Sequence, residues 1–115
     1  MIEFLLLLFV KHYIVDFVMQ TDDMVKGKGV YGNRYGILHS LQHGIGTLIA
    51  CIITIYDPVY WIILSVIDFV THYHIDYIKM RYGCRDITKP LFWNQLGLDQ
   101  LAHYLTYLYM VAYVV

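Results

Sequence analysis

Long apolar runs alternate with short polar stretches along the chain, and each run is long enough to cross a bilayer as a helix. A spanning helix needs about 20 mostly apolar residues. Four runs fit this length: residues 2–20, 37–56, 59–78 and 92–115. None alternates polar and apolar positions with a period of two, which disfavours a β-barrel. We predict an all-α, polytopic membrane protein: a four-helix transmembrane bundle in a single domain, residues 1–115.

Basic residues mark the first and third connecting loops, whereas the second loop is the bare Asp57-Pro58 turn. These basic residues are Lys26, Lys28, Arg34, Lys79, Arg81, Arg85 and Lys89. Because Lys and Arg collect on the cytoplasmic side of a membrane, both termini are predicted to face outside. The expected location is the bacterial inner (cytoplasmic) membrane, as a multi-pass protein with the lipid bilayer as its immediate partner.

Composition agrees with a membrane protein and disfavours two other classes. Apolar residues make up 59% of the chain, which is high for a soluble domain of this size. The net charge is only −1 and the basic residues are few and close to the predicted membrane, so we expect no nucleic-acid partner. Cys51 and Cys84 share neither metal-binding spacing nor a disulfide pattern, and we expect both to be reduced.

Each apolar run carries a narrow polar seam whose members are four residues apart. A spacing of four keeps side chains on one helical face, and costly ionisable groups in a span normally face the bundle interior. The seams comprise His12, Asp16 and Gln20; His39 and His43; Asp68, His72 and Asp76; and Gln95, Asp99 and His103.

Counting from the loops places the seams in two layers within the cytoplasmic half of the bundle. The first layer comprises Asp16, His39, Asp76 and Asp99. The second, about 6 Å deeper, comprises His12, His43, His72 and His103. Each helix contributes one residue to each layer. Hydrogen bonds between helices account for one polar residue per helix. They account poorly for four imidazoles and three carboxylates at matched depths.

A metal site is the interpretation that this chemistry favours, since a carboxylate without water must be protonated, paired or bound to a metal. Imidazole with carboxylate suits divalent transition metals, and helical bundles build two-metal sites from such residues. We predict one or two ions, with zinc favoured and iron or manganese as alternatives. The predicted ligands are His12, Asp16, His39, His43, His72, Asp76, Asp99 and His103. His39 and Asp76 are also the predicted catalytic residues. A proton or ion pathway and a structural network remain alternatives.

Three further polar residues fall outside the two layers. Lys11 points about 100° away from His12 and lies deep for a lysine, and Asp68 lies one turn deeper than His72. A buried Lys11–Asp68 pair accounts for both. His74 points away from the seam of its own helix, toward lipid headgroups or another helix.

The ordered set of four motifs resembles a known family. The motifs are His12-x-x-x-Asp16-Phe17-x-x-Gln20, His39-x-x-x-His43, His72-x-x-x-Asp76-Tyr77-Ile78-Lys79 and Asp99-Gln100-x-x-His103. Together they resemble the bacterial and phage membrane family called domain of unknown function 3307, over nearly the whole chain. The resemblance implies a membrane location and an important His/Asp set, but no reaction. A looser similarity connects the chain to membrane-bound metal-dependent hydrolases.

Three functions follow as hypotheses. The first is a membrane-embedded metal-dependent hydrolase that takes a lipid-like phosphate or ester substrate from the cytoplasmic side, its phosphate near Lys26, Lys79 or Arg81. The second is a proton or metal-ion transporter or channel, which the apolar outer halves of the four runs disfavour. The third is a small phage or bacterial interaction protein with a structural metal site. A homodimer is expected because four short spans leave little room for a substrate cavity within one chain.

Overall fold

The structure is a computed structural model that describes residues 1–115, and it contains helices but no strands. Its helices are α1 (Ile2–Tyr13), α2 (Asp22–Gly27), α3 (Arg34–Thr54), α4 (Pro58–Tyr82) and α5 (Pro90–Val114). The all-α prediction is confirmed. The four long helices lie over the four apolar runs, and α2 is an additional short helix in the first loop.

The long helices form a closed ring around one interior. Helices α1 and α4 each pack against both α3 and α5. Lys11 contacts Asp68, and Asp16, just beyond α1, lies near His72, so α1 runs parallel to α4. Phe9 packs against Tyr104 and His12 contacts Gln100, so α1 runs antiparallel to α5. The seams of all four helices therefore meet in the same half of the bundle.

Local sequence sets where the helices begin. The Asn33 side chain accepts a hydrogen bond from the backbone N–H of Tyr35 at the start of α3. Asp57 caps α4 in the same way, and Pro58 occupies the first helical position, where its missing N–H removes no helical hydrogen bond. The Asp57-Pro58 pair thus both ends the turn after α3 and starts α4.

Helix α1 continues directly into a π-helical turn, Ile14–Val18, which contains Asp16. Here the backbone N–H of Met19 bonds the carbonyl of Ile14, five residues earlier, at 2.9 Å. A π turn accommodates one extra residue and often occurs at functional sites. Its wider spacing still leaves Asp16 facing the interior together with His12, whose Nε2 lies 3.1 Å from Asp16 Oδ2.

The first loop is packed against the bundle. A Cβ atom on Gly36 would lie 3.0 Å from Lys28 Cα and 3.1 Å from the Gly27 carbonyl oxygen. The absence of a side chain at Gly36 lets α2 approach α3 this closely. The approach carries Lys28 inward, where it is only 7% exposed.

The interior divides into two halves of opposite character. We call one the apolar half; its buried residues are Phe4, Leu8, Ala50, Cys51, Ile55, Leu64, Tyr107 and Met110. We call the other the polar half; its residues are His12, Asp16, His39, His43, His72, Asp76, Asp99 and His103. The boundary crosses the middle of the bundle, so each long helix contributes to both halves.

The outer surface is rich in large apolar side chains, including Leu6, Ile49, Ile62, Val66 and Leu105, each more than half exposed. By length and mean hydropathy, one helix, α3, is long and apolar enough to cross a membrane. The crossing of a membrane by all four long helices stays a prediction.

Candidate metal centre

The structure brings the eight predicted ligands into one buried cluster. His39, His43 and His72 have no exposed surface, and the side chains of Asp16 and Asp76 are 8% and 4% exposed. Since four helices each supply part of the cluster, its geometry depends on the tertiary packing of the whole bundle.

Asp16 lies at the centre of one group of imidazoles. Its Oδ1 is 2.7 Å from His43 Nε2 and 3.1 Å from His39 Nε2. His72 Nε2 is further away, at 3.8 Å from the same oxygen. His12 approaches the other oxygen, Oδ2, as described above. Imidazole rings from another turn of the same segment and from other helices therefore lie close to both oxygens of Asp16.

Asp76 holds the corresponding position in a second group. Its Oδ2 lies 3.1 Å from His72 Nε2 and 3.5 Å from His39 Nε2. Its Oδ1 lies 3.1 Å from His103 Nε2. The Lys28 ammonium donates to Oδ2 at 3.2 Å. His39 and His72 therefore lie between the two carboxylates and contact both.

Asp99 lies at the edge of the cluster. Its Oδ1 is 3.4 Å from His103 Nε2 and accepts no hydrogen bond, although it is buried. Its Oδ2 accepts a hydrogen bond from Gln100 Nε2 and lies 3.9 Å from Lys79 Nζ. Asp99 also lines a groove between α4 and α5, with a volume of about 380 Å³.

The second predicted layer is seen as a compact set of imidazole rings. The His43 and His72 rings stack at 3.5 Å between centroids, and those of His72 and His103 at 4.0 Å. The His12 ring lies 5.4 Å from those of His43 and His103. The His39 ring, from the first predicted layer, lies 5.0 and 5.3 Å from those of His43 and His72, so rings of both layers are neighbours.

Two sets of atoms are close enough to surround an ion. One set comes from Asp16, His39, His43 and His72, and the other from His72, Asp76 and His103. Within each set every ligand atom lies within 4.8 Å of every other. All four ring nitrogens of His39 and His72 are buried without a hydrogen-bond partner. A neutral ring with no partner at Nδ1 can carry its proton there and offer the lone pair of Nε2 to a metal.

Two of the distances between ligand atoms can be compared with those of a tetrahedral ion. Zinc bonds to nitrogen and oxygen are about 2.0–2.2 Å, so neighbouring ligand atoms in a tetrahedron lie roughly 3.3–3.5 Å apart. His39 Nε2 and His72 Nε2 lie 3.1 and 3.8 Å from Asp16 Oδ1, which brackets that value. The residues present therefore suit a divalent transition metal.

A buried ion pair stands beside the cluster, as the sequence indicates for Lys11 and Asp68. The Lys11 ammonium donates to Asp68 Oδ2 at 2.5 Å, and Thr47 donates to the same oxygen at 2.5 Å. Lys11 Nζ also lies 2.9 Å from His43 Nδ1. The pair thus reaches the candidate site through His43, a connection that the sequence does not reveal.

Three contacting residues escape the motif reading. Thr47 lies four residues after His43, and Tyr107 four residues after His103, so a longer extension of each seam would have found them. Lys28 carries no comparable signal, because its position depends on the contact between Gly27 and Gly36. His74 lies outside the cluster, as expected: it is exposed, and its Nε2 is 3.1 Å from the Tyr31 hydroxyl.

Comparison with known proteins adds one finding. The family model described as "Protein of unknown function (DUF3307)" matches residues 4–115. The chain belongs to the DUF3307 family. The match covers the four long helices except the first two residues of α1, and it includes every seam residue of this DUF3307 protein. No curated protein and no solved structure matches it, so the looser similarity to metal-dependent hydrolases gains no support from these comparisons.

Proposed function

We propose that this DUF3307 protein is a multi-pass protein of the bacterial inner membrane, crossed by α1 and its π turn, α3, α4 and α5, with both termini outside. Helices α4 and α5 have 25 residues each, about 37 Å at 1.5 Å per residue, which exceeds a hydrocarbon core of about 30 Å. Their buried polar seams lower their mean hydropathy without making the outward surface polar.

The distribution of burial supports this location. The buried set includes five histidines, three aspartates and two lysines, whereas large aliphatic side chains cover the outside. A soluble protein has the reverse tendency, because burying charge is costly and exposing apolar surface in water is unfavourable. In a bilayer, ionisable groups face the bundle interior and apolar groups face lipid.

We further propose that Asp16, His39 and His72 hold one divalent transition metal, zinc being favoured. The observation that carries this is the set of unpartnered nitrogens of His39 and His72 beside Asp16, at distances suited to tetrahedral coordination. Three protein ligands leave one position open, which distinguishes catalytic zinc sites from closed structural ones. In the two-metal form of this proposal, Asp76, His103 and Asp99 hold a second ion.

The function that this arrangement supports best is hydrolysis of a phosphate or ester bond in a lipid-like molecule. A bound ion would lower the pKa of water and polarise the phosphoryl or carbonyl oxygen. The water oxygen forms a bond to phosphorus or carbon as the ester bond breaks, and the water proton ends on the leaving oxygen. Asp76 Oδ2, next to both His39 and His72, is placed to take that proton and return it.

Neighbouring residues position the reacting groups. His103 connects Asp76 to Asp99 and so connects the proton acceptor to the groove between α4 and α5. That groove is lined mainly by apolar side chains, including Ile78 and Leu98, with Lys79 among its polar residues. An apolar substrate chain fits the groove, and the Lys79 ammonium offers a contact for an anionic headgroup near the cytoplasmic surface.

The apolar half argues against the transport hypothesis. A conducting path needs polar groups through the whole membrane. Below the cluster, Leu8, Leu64 and Met110 are fully buried, and none of the eight residues that form this core is Asp, Glu, Lys, Arg or His. The polar cluster is therefore open to one side at most.

The decisive experiment compares two histidines of the same helix. Detergent-purified wild type and His74→Gln should contain stoichiometric zinc by elemental analysis, whereas His72→Gln should contain none. Wild type should also release phosphate or fatty acid from lipid phosphate monoesters or lipid esters in mixed micelles. Asp76→Asn should lower that rate by about 10²-fold or more, the scale of a lost general base. Metal-free wild type overturns the metal centre; metal-loaded protein inert on both substrate classes overturns the hydrolase.

A further inference from the structure

We infer that His12 and His43 are not metal ligands, although both belong to the predicted set, but carry a proton on Nε2 and hold Asp16 in place. The inference rests on the proposed metal centre and divides its histidines into two kinds. It follows from what each ring nitrogen faces, because a nitrogen that carries a proton has no lone pair for a metal.

His43 is fixed by Lys11. A lysine ammonium has three donors and no acceptor, and Lys11 is in the buried ion pair with Asp68 described above. At 2.9 Å from Lys11 Nζ, His43 Nδ1 must therefore accept a hydrogen bond. A neutral ring that accepts at Nδ1 carries its proton on Nε2. That nitrogen points at Asp16 Oδ1 at 2.7 Å, which is a charge-assisted hydrogen bond of ordinary length.

The tautomer of His12 follows from the acceptors that face its Nε2. Its Nε2 faces only acceptors, Gln100 Oε1 at 2.7 Å and Asp16 Oδ2 at 3.1 Å. The Gln100 amide is oriented this way because its nitrogen donates to Asp99. His12 Nε2 must therefore carry the proton, and Nδ1 accepts from the Tyr107 hydroxyl at 2.7 Å.

His39 and His72 differ from these two rings at Nδ1. Their Nδ1 atoms have no hydrogen-bond partner, whereas Nδ1 of His12 and of His43 each accepts a hydrogen bond. The proton of His39 and of His72 can therefore lie on Nδ1, which leaves the lone pair of Nε2, 3.1 or 3.8 Å from Asp16 Oδ1, for a metal. Two rings with free lone pairs and two donors thus surround one carboxylate. Asp16 Oδ1 accepts a hydrogen bond from His43, and the protonated Nε2 of His12 lies 3.1 Å from Oδ2. These contacts fix the orientation of the carboxylate, and metal-ligating carboxylates are commonly held in this way.

Glutamine substitutions separate the two kinds of histidine, since the glutamine amide donates a hydrogen bond but is a poor metal ligand. In zinc titrations of the detergent-solubilised protein, His43→Gln and His12→Gln should weaken zinc binding by less than about tenfold. His43→Leu, which lacks the donor, should weaken zinc binding by about 10- to 100-fold, the range for removing a residue that hydrogen-bonds to a metal ligand. His39→Gln and His72→Gln should abolish it. Unfolding curves in the same detergent confirm that each variant is folded.

A spectroscopic measurement checks the tautomers directly. In ¹⁵N spectra of the zinc-loaded protein labelled at histidine, His43 and His12 should each keep a proton on Nε2, and His39 and His72 should show a zinc-bound nitrogen. A zinc-bound Nε2 in His43, or equal loss of zinc in His43→Gln and His39→Gln, overturns this inference alone. Absence of zinc binding in the wild type overturns the proposed centre as well.

Discussion

The apolar half and the polar half of the bundle are built from the same four helices, yet different forces stabilise them. In the apolar half, Leu8, Leu64 and Met110 are held by van der Waals packing, and each of these contacts is individually weak and replaceable. In the polar half, Asp16 and Asp76 are held by directed contacts with imidazoles and an ammonium. Each of those contacts is costly to leave unmade. The difference means that the two halves should fail in different ways when they are altered.

The largest expected effect lies at the boundary between the halves. Lys11→Met leaves Asp68 as a buried, unpaired charge at 1% exposure, and we expect a loss of about 3–5 kcal/mol in the free energy of unfolding. Lys11→Met combined with Asp68→Leu removes both charges and should recover most of that loss. Denaturant unfolding in detergent micelles measures both. A double variant as unstable as the single one would show that the charge pair is not the cause.

Metal removal should act on the polar half alone. If free zinc exceeds its Kd by 100- to 1,000-fold, chelation should lower the free energy of unfolding by about 3–4 kcal/mol. The thermal midpoint should fall and then return when zinc is added back. His72→Gln provides the control, since a variant without the site should not respond to chelator. An equal response in His72→Gln would place the metal elsewhere.

A cavity in the apolar half should cost stability without touching the site. Leu64→Ala is expected to lose about 2 kcal/mol, at the lower end for a buried leucine, because lipid competes as an apolar solvent. Zinc stoichiometry should remain that of the wild type. Ile62→Ala on the exposed face of the same helix is the matched control and should be nearly neutral. Loss of zinc in Leu64→Ala would mean that the halves are not independent.

The smallest effect concerns the contact that buries Lys28. Gly36→Ala places a methyl group against Lys28 Cα and should cost about 1 kcal/mol. It should also push the Lys28 amine outward, which amine acylation followed by mass spectrometry can detect. Gly97→Ala is the control, since a Cβ there meets nothing within 4 Å. Equal acylation of Lys28 in both variants would contradict the role given to Gly36.

The sequence predicts the polar half well because its information is periodic. A spacing of four residues requires only a helix, and the charged loops fix which ends lie together. The meeting of Asp16, His39 and Asp76 follows from those two facts. The apolar half is predicted just as directly, from stretches that contain no Asp, Glu, Lys, Arg or His.

The features that the sequence does not predict depend on contacts between distant residues or on local departures from α-helical geometry. Lys28 reaches Asp76 because two glycines that are nine positions apart allow a close approach, and no periodic pattern encodes that contact. The π turn at Ile14–Val18 uses residues that also suit an ordinary helix. The division of the histidines into donors and free rings depends on Tyr107, Gln100 and Lys11, whose positions are known only once the helices are packed.

The π turn has a consequence for how this segment tolerates change. Phe17 and Val18 in that turn are 66% and 63% exposed, so other apolar side chains should be accepted at both positions. Deletion of Val15 is different, because it would restore the ordinary helical ladder, in which the Met19 N–H can still bond the Ile14 carbonyl. Asp16 would move one position closer to Ile14 and so turn about the helix axis. Asp16 would then turn out of register with its imidazoles. The segment should therefore be permissive in composition and strict in length.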